Sequence, residues 1–119
     1  MEEATMTTKV RRTALIMTAI GALVSMPMLS GMALAADKHA AEALEHAKAA
    51  VSHGKEGHAD ACVEHASEAL KHAQAAAKNP HGAEGVKHLT EAVKHGKAGH
   101  ADACTEHAEG AATHLAEVK

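Results

Sequence analysis

Residues 53–62 read His-Gly-Lys-Glu-Gly-His-Ala-Asp-Ala-Cys, and residues 95–104 read His-Gly-Lys-Ala-Gly-His-Ala-Asp-Ala-Cys. The two stretches lie 42 positions apart and differ only at Glu56 against Ala98. The same offset holds outward from them. His39, His46, His53, His58, His65 and His72 reappear as His81, His88, His95, His100, His107 and His114, and Cys62 reappears as Cys104. Self-similarity at a fixed period marks an internal duplication, with units at 38–78 and 80–119. In each copy a pair of glycines separates two segments rich in Ala, Glu, Lys and Leu, all strong helix formers. Glycine just past a periodic segment ends a helix, and Asn79-Pro80 breaks the chain between the copies. The pattern predicts helices at about Asp37 to His53, Ala59 to Lys78, Ala83 to His95 and Ala101 to Val118. Four helices with short connections predict an all-α, up-down four-helix bundle built from two duplicated hairpins.

A heptad frame with Leu44, Val51, Val63, Leu70, Val86, Val93, Thr105 and Ala112 at position a puts Ala40, Ala47, Ala66, Ala73, Leu89, Ala108 and Leu115 at d. These two stripes are the expected core. All 12 histidines then fall at c. The g positions are small, among them Ala43, Ala50, Cys62, Ala69, Gly85, Ala92, Cys104 and Ala111. The core is poor. From residue 36 onward there are 24 Ala, nine Leu or Val and no aromatic residue. Chains so weakly cored commonly rely on metals, disulfides or tight helix packing.

The N-terminal segment has a different character. Lys9, Arg11 and Arg12 precede an apolar run from Thr13 to about Leu29, which ends in Ala33-Leu34-Ala35. Positive charge, apolar stretch and a small-x-small signal, in that order, are the marks of a secretory leader. Residues 1–35 are therefore expected to be a cleaved signal peptide, cut near Ala35/Ala36, with Met6 as an alternative start to Met1. A retained anchor is the rival reading. Export places residues 36–119 in the periplasm, an oxidising compartment. That part holds every histidine, nine Lys, no Arg and 13 acidic residues. Without a basic patch or an aromatic residue for stacking it is not expected to bind nucleic acid, and it has no second membrane span.

Histidines seven apart on one helix are separated by about 10.5 Å along its axis. One ion cannot reach both with bonds of about 2.0–2.1 Å, so each needs a partner from another helix. Residues level across an antiparallel turn share an index sum. His39/His72, His46/His65 and His53/His58 form one such set; His81/His114, His88/His107 and His95/His100 form the other. This predicts three His–His rungs per hairpin. Glu42, Glu68, Glu84 and Glu91 each follow a histidine by three residues, where they can complete a site or orient a ring. His58, Cys62 and His65 share a stripe at i, i+4, i+7, repeated by His100, Cys104 and His107. Thiolate with imidazole suits Cu(I) or zinc; imidazole with carboxylate suits Cu(II), zinc or nickel. The cysteines are equally open to a disulfide, within the chain or between two chains. Helices two and four would lie diagonally in the bundle, which makes an internal bridge awkward. The chain is expected to be a monomer, or a dimer if cysteines link two copies.

A metal-free structural or pH-responsive bundle is the other reading, because histidine titrates near neutral pH. No enzyme is expected: no catalytic residue is assigned, since no nucleophile stands beside a base and orienter and no glycine loop cradles phosphate. Cys62-Val63-Glu64-His65 lacks the second cysteine of a haem attachment motif.

The strings Glu45-His46-Ala47, Glu64-His65-Ala66 and Glu106-His107-Ala108, with the His-Gly-Lys-x-Gly-His turns at 53–58 and 95–100, resemble the small metal-binding protein family (SmbP-like). The resemblance spans residues 36–119 and includes the leader. It implies a periplasmic four-helix bundle that binds several copper ions, and other divalent metals, through histidine for storage or tolerance. Cys62 and Cys104 depart from the family's all-histidine pattern.

Overall fold

The computed structural model describes residues 31–119, with side chains from Ala36 onward. Four helices follow one another: α1 (Gly31–Lys55), α2 (Ala59–Ala75), α3 (Pro80–Lys97) and α4 (Ala101–Ala116). No strand occurs among the described residues. α1 packs on α2, α2 on α3, α3 on α4 and α4 on α1, with a lighter diagonal contact between α2 and α4. This is the expected up-down four-helix bundle. The expected leader, residues 1–35, lies outside the described residues except for its last five positions, where Met32, Ala33, Leu34 and Ala35 continue α1 six residues ahead of the expected start.

The turns show why the repeats fold as they do. Gly57 and Gly99 have φ of 82° and 83°, the left-handed region that costs glycine least. At the first turn His58 N–H donates to the His53 carbonyl at 3.0 Å, and Gly57 N–H donates to the Gly54 carbonyl at 3.0 Å. The second turn repeats both bonds, from His100 to His95 and from Gly99 to Gly96. This pair of bonds is the Schellman ending of a helix, and here it clamps together the two histidines that flank each turn. Between the copies, the Asn79 side chain accepts the His81 N–H at 2.9 Å and Pro80 takes the first helical position. Proline needs no donor there, so α3 begins three residues earlier than expected. α2 ends at Ala75, also three residues early, because residues 76–78 belong to the turn.

The core corrects the heptad expectation. The buried stripes are d and g: Ala43, Ala47, Ala50, Cys62, Ala66, Ala69, Ala73, Leu89, Ala92, Cys104, Ala108, Ala111 and Leu115. Leu44, Val51, Leu70, Val86, Val93 and Ala112, assigned to a, are half-buried against the rim of that core. Alanine at most d and g positions lets the backbones approach; Leu89 and Leu115 are the larger aliphatic side chains that fit between them, and the a residues are left at the rim. Glycine serves the same close approach: a Cβ on Gly54 would collide with Thr105, and one on Gly96 with Val63. Thr105 and Val63 are equivalent positions of the two copies, so the two hairpins grip each other reciprocally.

Cys62 and Cys104 are joined by a disulfide across the α2–α4 diagonal, with Cα atoms 6.6 Å apart. Both are fully buried. The expectation that the diagonal makes this bridge awkward is overturned. Small side chains bring the diagonal helices within disulfide reach, about 4.4–6.8 Å between Cα atoms. The metal-ligand reading of Cys62 and Cys104 fails for the same reason, because each sulfur is bonded to the other inside the core. The chain has two cysteines, so none remains to link a second chain.

Candidate metal sites

The histidines at c stand beside the g stripe, in the outer groove of each hairpin. His39, His46 and His53 on α1 face His58, His65 and His72 at and along α2. The set from His81 to His114 occupies the groove between α3 and α4. The two grooves lie on opposite sides of the bundle. Nine of the imidazoles are half-buried; His58, His81 and His100 are exposed.

All six expected level pairs come together. Ring centroids are 5.8 Å apart for His39/His72, 6.0 Å for His46/His65 and 6.4 Å for His53/His58. In the second hairpin they are 5.7 Å for His81/His114, 5.9 Å for His88/His107 and 6.2 Å for His95/His100. Four staggered pairs, which index sums do not foresee, are as close or closer: His46/His72 at 5.6 Å, His53/His65 at 5.0 Å, His88/His114 at 5.4 Å and His95/His107 at 5.2 Å. The cause is the tilt of helical side chains toward their own N-terminus. In antiparallel helices the two columns tilt in opposite senses, so rings that start level slide past one another and interleave. Each groove therefore holds a continuous ladder of six imidazoles rather than three separate rungs.

The carboxylates divide. Glu42 reaches both rings at the open end of the first ladder, 3.3 Å from His39 Nδ1 and 3.0 Å from His72 Nδ1, and the two Nδ1 atoms are 3.5 Å apart. These three residues form a group that could hold an ion. Glu68 and Glu84 are drawn instead to Lys71 and Lys87, each at 2.6 Å. The hydrogen bond and charge of Lys71 hold the Glu68 carboxyl below the usual carboxylate range, and Lys87 does the same to Glu84. Glu91 sits 3.4 Å from Lys94 and 3.8 Å from His95.

The sequence reading missed Glu56. It lies 3.4 Å from His58 and forms a second potential ion-holding group with His53 and His58. The signal was present, since Glu56 is the one difference between the two turns. His53 Nδ1 is buried without a hydrogen-bond partner. Burial pushes the His88 imidazole down, and charge on His114 and His107 acts in the same direction against a smaller opposing effect of Glu84. The His88 ring occupies space that a larger residue would claim: a Cβ on Gly110, the counterpart of Glu68, would lie 2.9 Å from it. No helix among the described residues is long and apolar enough to cross a membrane.

The sequence model of the family described as small metal-binding protein matches residues 13–118 of this chain. No curated protein matches it significantly.

Proposed function

The chain belongs to the small metal-binding protein family, and we propose on that premise that it is an exported periplasmic protein that holds several copper ions along its histidine ladders, for sequestration, storage or tolerance. The observation that carries this reading is the pair of interleaved ladders, with twelve imidazoles in two grooves and each ring 5.0–6.4 Å from its neighbours. Imidazole supports Cu(II), zinc and nickel alike, and copper stands highest in the general affinity order. With both sulfurs in the disulfide, the donors are nitrogen and carboxylate oxygen, a set that favours Cu(II) over Cu(I). Zinc and nickel are the competing cargo. No catalytic step is part of the reading.

The test is to offer the purified chain equal copper, zinc and nickel, pass it through a moderate competing chelator, and count metal per chain by mass spectrometry. Several retained copper ions, reduced by His46→Ala or His65→Ala but not by Lys78→Ala, are the expected result. Retention of none would sink the cargo reading and favour a pH-responsive bundle, for which the stacked, mutually repelling imidazoles around His88 are the observation. N-terminal sequencing of the periplasmic protein checks export; a mature chain beginning at Ala36 is expected.

A further inference from the structure

The ladders match in their histidines but not in their carboxylates, and one group has a geometry the others lack. A tetrahedral ion with bonds of about 2.0–2.1 Å holds its donor atoms about 3.3–3.4 Å apart. His39 Nδ1, His72 Nδ1 and the Glu42 carboxylate form a triangle with edges of 3.5, 3.3 and 3.0 Å. An ion placed over that triangle would need the donors to move by only a few tenths of an ångström. All three side chains are partly exposed, at 30–43%, which leaves a fourth position open to water.

The second hairpin has the same imidazole pair, His81 and His114, with Nδ1 atoms 3.4 Å apart. Its third donor is engaged elsewhere. Glu84, the counterpart of Glu42, is paired with Lys87 at 2.6 Å. The counterpart of Lys87 in the first copy is Glu45, which itself pairs with Lys48 at 3.3 Å. Among the described residues Glu42 makes its ion-pair contacts with the two imidazoles alone. In the turn group of His53, Glu56 and His58, Glu56 makes an ion-pair contact with His58 alone among the described residues, at 3.4 Å, and His53 Nδ1 has no hydrogen-bond partner there.

We propose that His39, Glu42 and His72 form a tetrahedral site for one divalent ion of the zinc class, the first that such an ion fills, and that the second hairpin has no equivalent because Lys87 holds Glu84. This rests on the metal-binding reading above and assigns Glu42 as a ligand. Two nitrogens and one oxygen in tetrahedral array suit zinc, whereas Cu(II) prefers a tetragonal arrangement. The claim concerns where the first zinc-class ion goes, not whether copper could displace it.

Cobalt(II) is the probe, because its visible bands are intense in tetrahedral and weak in octahedral surroundings. The disulfide-bonded chain is titrated with cobalt alone. The first equivalent should give the tetrahedral bands, and zinc should abolish them. Glu42→Gln should weaken that site by at least roughly 10–100-fold, the loss already seen when only a supporting group of a metal site is removed. Glu84→Gln and Glu56→Gln should leave it unchanged, and Lys87→Glu should add a second tetrahedral equivalent. Glu42 is partly exposed, so the metal-free Glu42→Gln chain should melt as the parent does. Bands that survive Glu42→Gln, or that vanish as much with Glu56→Gln, overturn the assignment. A Lys87→Glu chain with no added equivalent overturns the account of the asymmetry. Ions that bind without regard to Glu42 would defeat this inference alone; a chain that retains no cobalt, zinc or copper defeats the metal-binding reading with it.

Discussion

His88 illustrates how a single position can carry the cost of crowding like side chains. Its imidazole is half-buried, stacked on His114 at 5.4 Å and 5.9 Å from His107. Desolvation first, and charge on those two rings second, hold its folded pKa below the ordinary 6.5. The sign of the linkage follows. Below about 6.5 the unfolded chain binds the proton that the folded chain resists, so stability falls as pH drops through that value and is restored above it. Denaturant melts of the metal-free protein between about pH 7.5 and 5.5 should show this decline, with a shallower slope for His88→Asn. An unchanged slope would place the pH sensitivity elsewhere in the ladders. Glu42 and Glu84 teach a related lesson. Both follow a histidine by three residues, and the sequence pattern alone ranks them equally. What separates them is the residue three further on, Glu45 in one copy and Lys87 in the other. Reading a carboxylate as a ligand requires asking which lysine competes for it.

The helices are small-residue rods, and the diagonal tie between α2 and α4 shows how closely they pack. The disulfide closes a loop of 42 residues, for which chain-entropy arguments give about 4 kcal/mol of stabilisation. A chain carrying Cys62→Ala and Cys104→Ala should lose stability of that order in chemical denaturation, yet keep its metal count, because the sulfurs are not ligands. A loss under about 1 kcal/mol would mean that alanine packing already holds the hairpins together, and a lower metal count would restore the sulfurs as donors. Much of this level was legible beforehand. The 42-residue offset, the glycine turns and the index sums gave four helices, their order and all six level imidazole pairs. The d stripe was legible, but burial of g in place of a was not, because Leu44, Val51 and Val93 look like core by hydropathy. Backbone proximity decides the matter, and alanine at g permits an approach that leucine at a would prevent. The same approach makes the cysteine bridge possible, which spacing along one helix cannot reveal. The stagger of the rings was hidden too, since index sums describe backbone levels and not the tilt of the bond from Cα to Cβ.

On the scale of the whole molecule, the bundle presents one ladder on each of two opposite faces. Each is a row of six rings in the order His39, His72, His46, His65, His53, His58, or His81, His114, His88, His107, His95, His100, with each ring close to its neighbours in the row. Suppose each ion takes two adjacent rings. An even row can then be filled without remainder in only one way, by the level pairs; an ion that settles on His46 and His72 strands His39. Capacity is then half the number of rings in the unbroken row, rounded down, so an odd ring adds nothing. His39→Ala should cost one ion, and adding His58→Ala should cost no more, since four rings seat as many ions as five. Metal counts on the two variants check this, and a steady fall with each histidine removed would mean that ions sit on single rings. The ladder is in this sense an odd-even counter, and an ion held at the Glu42 end would set its phase.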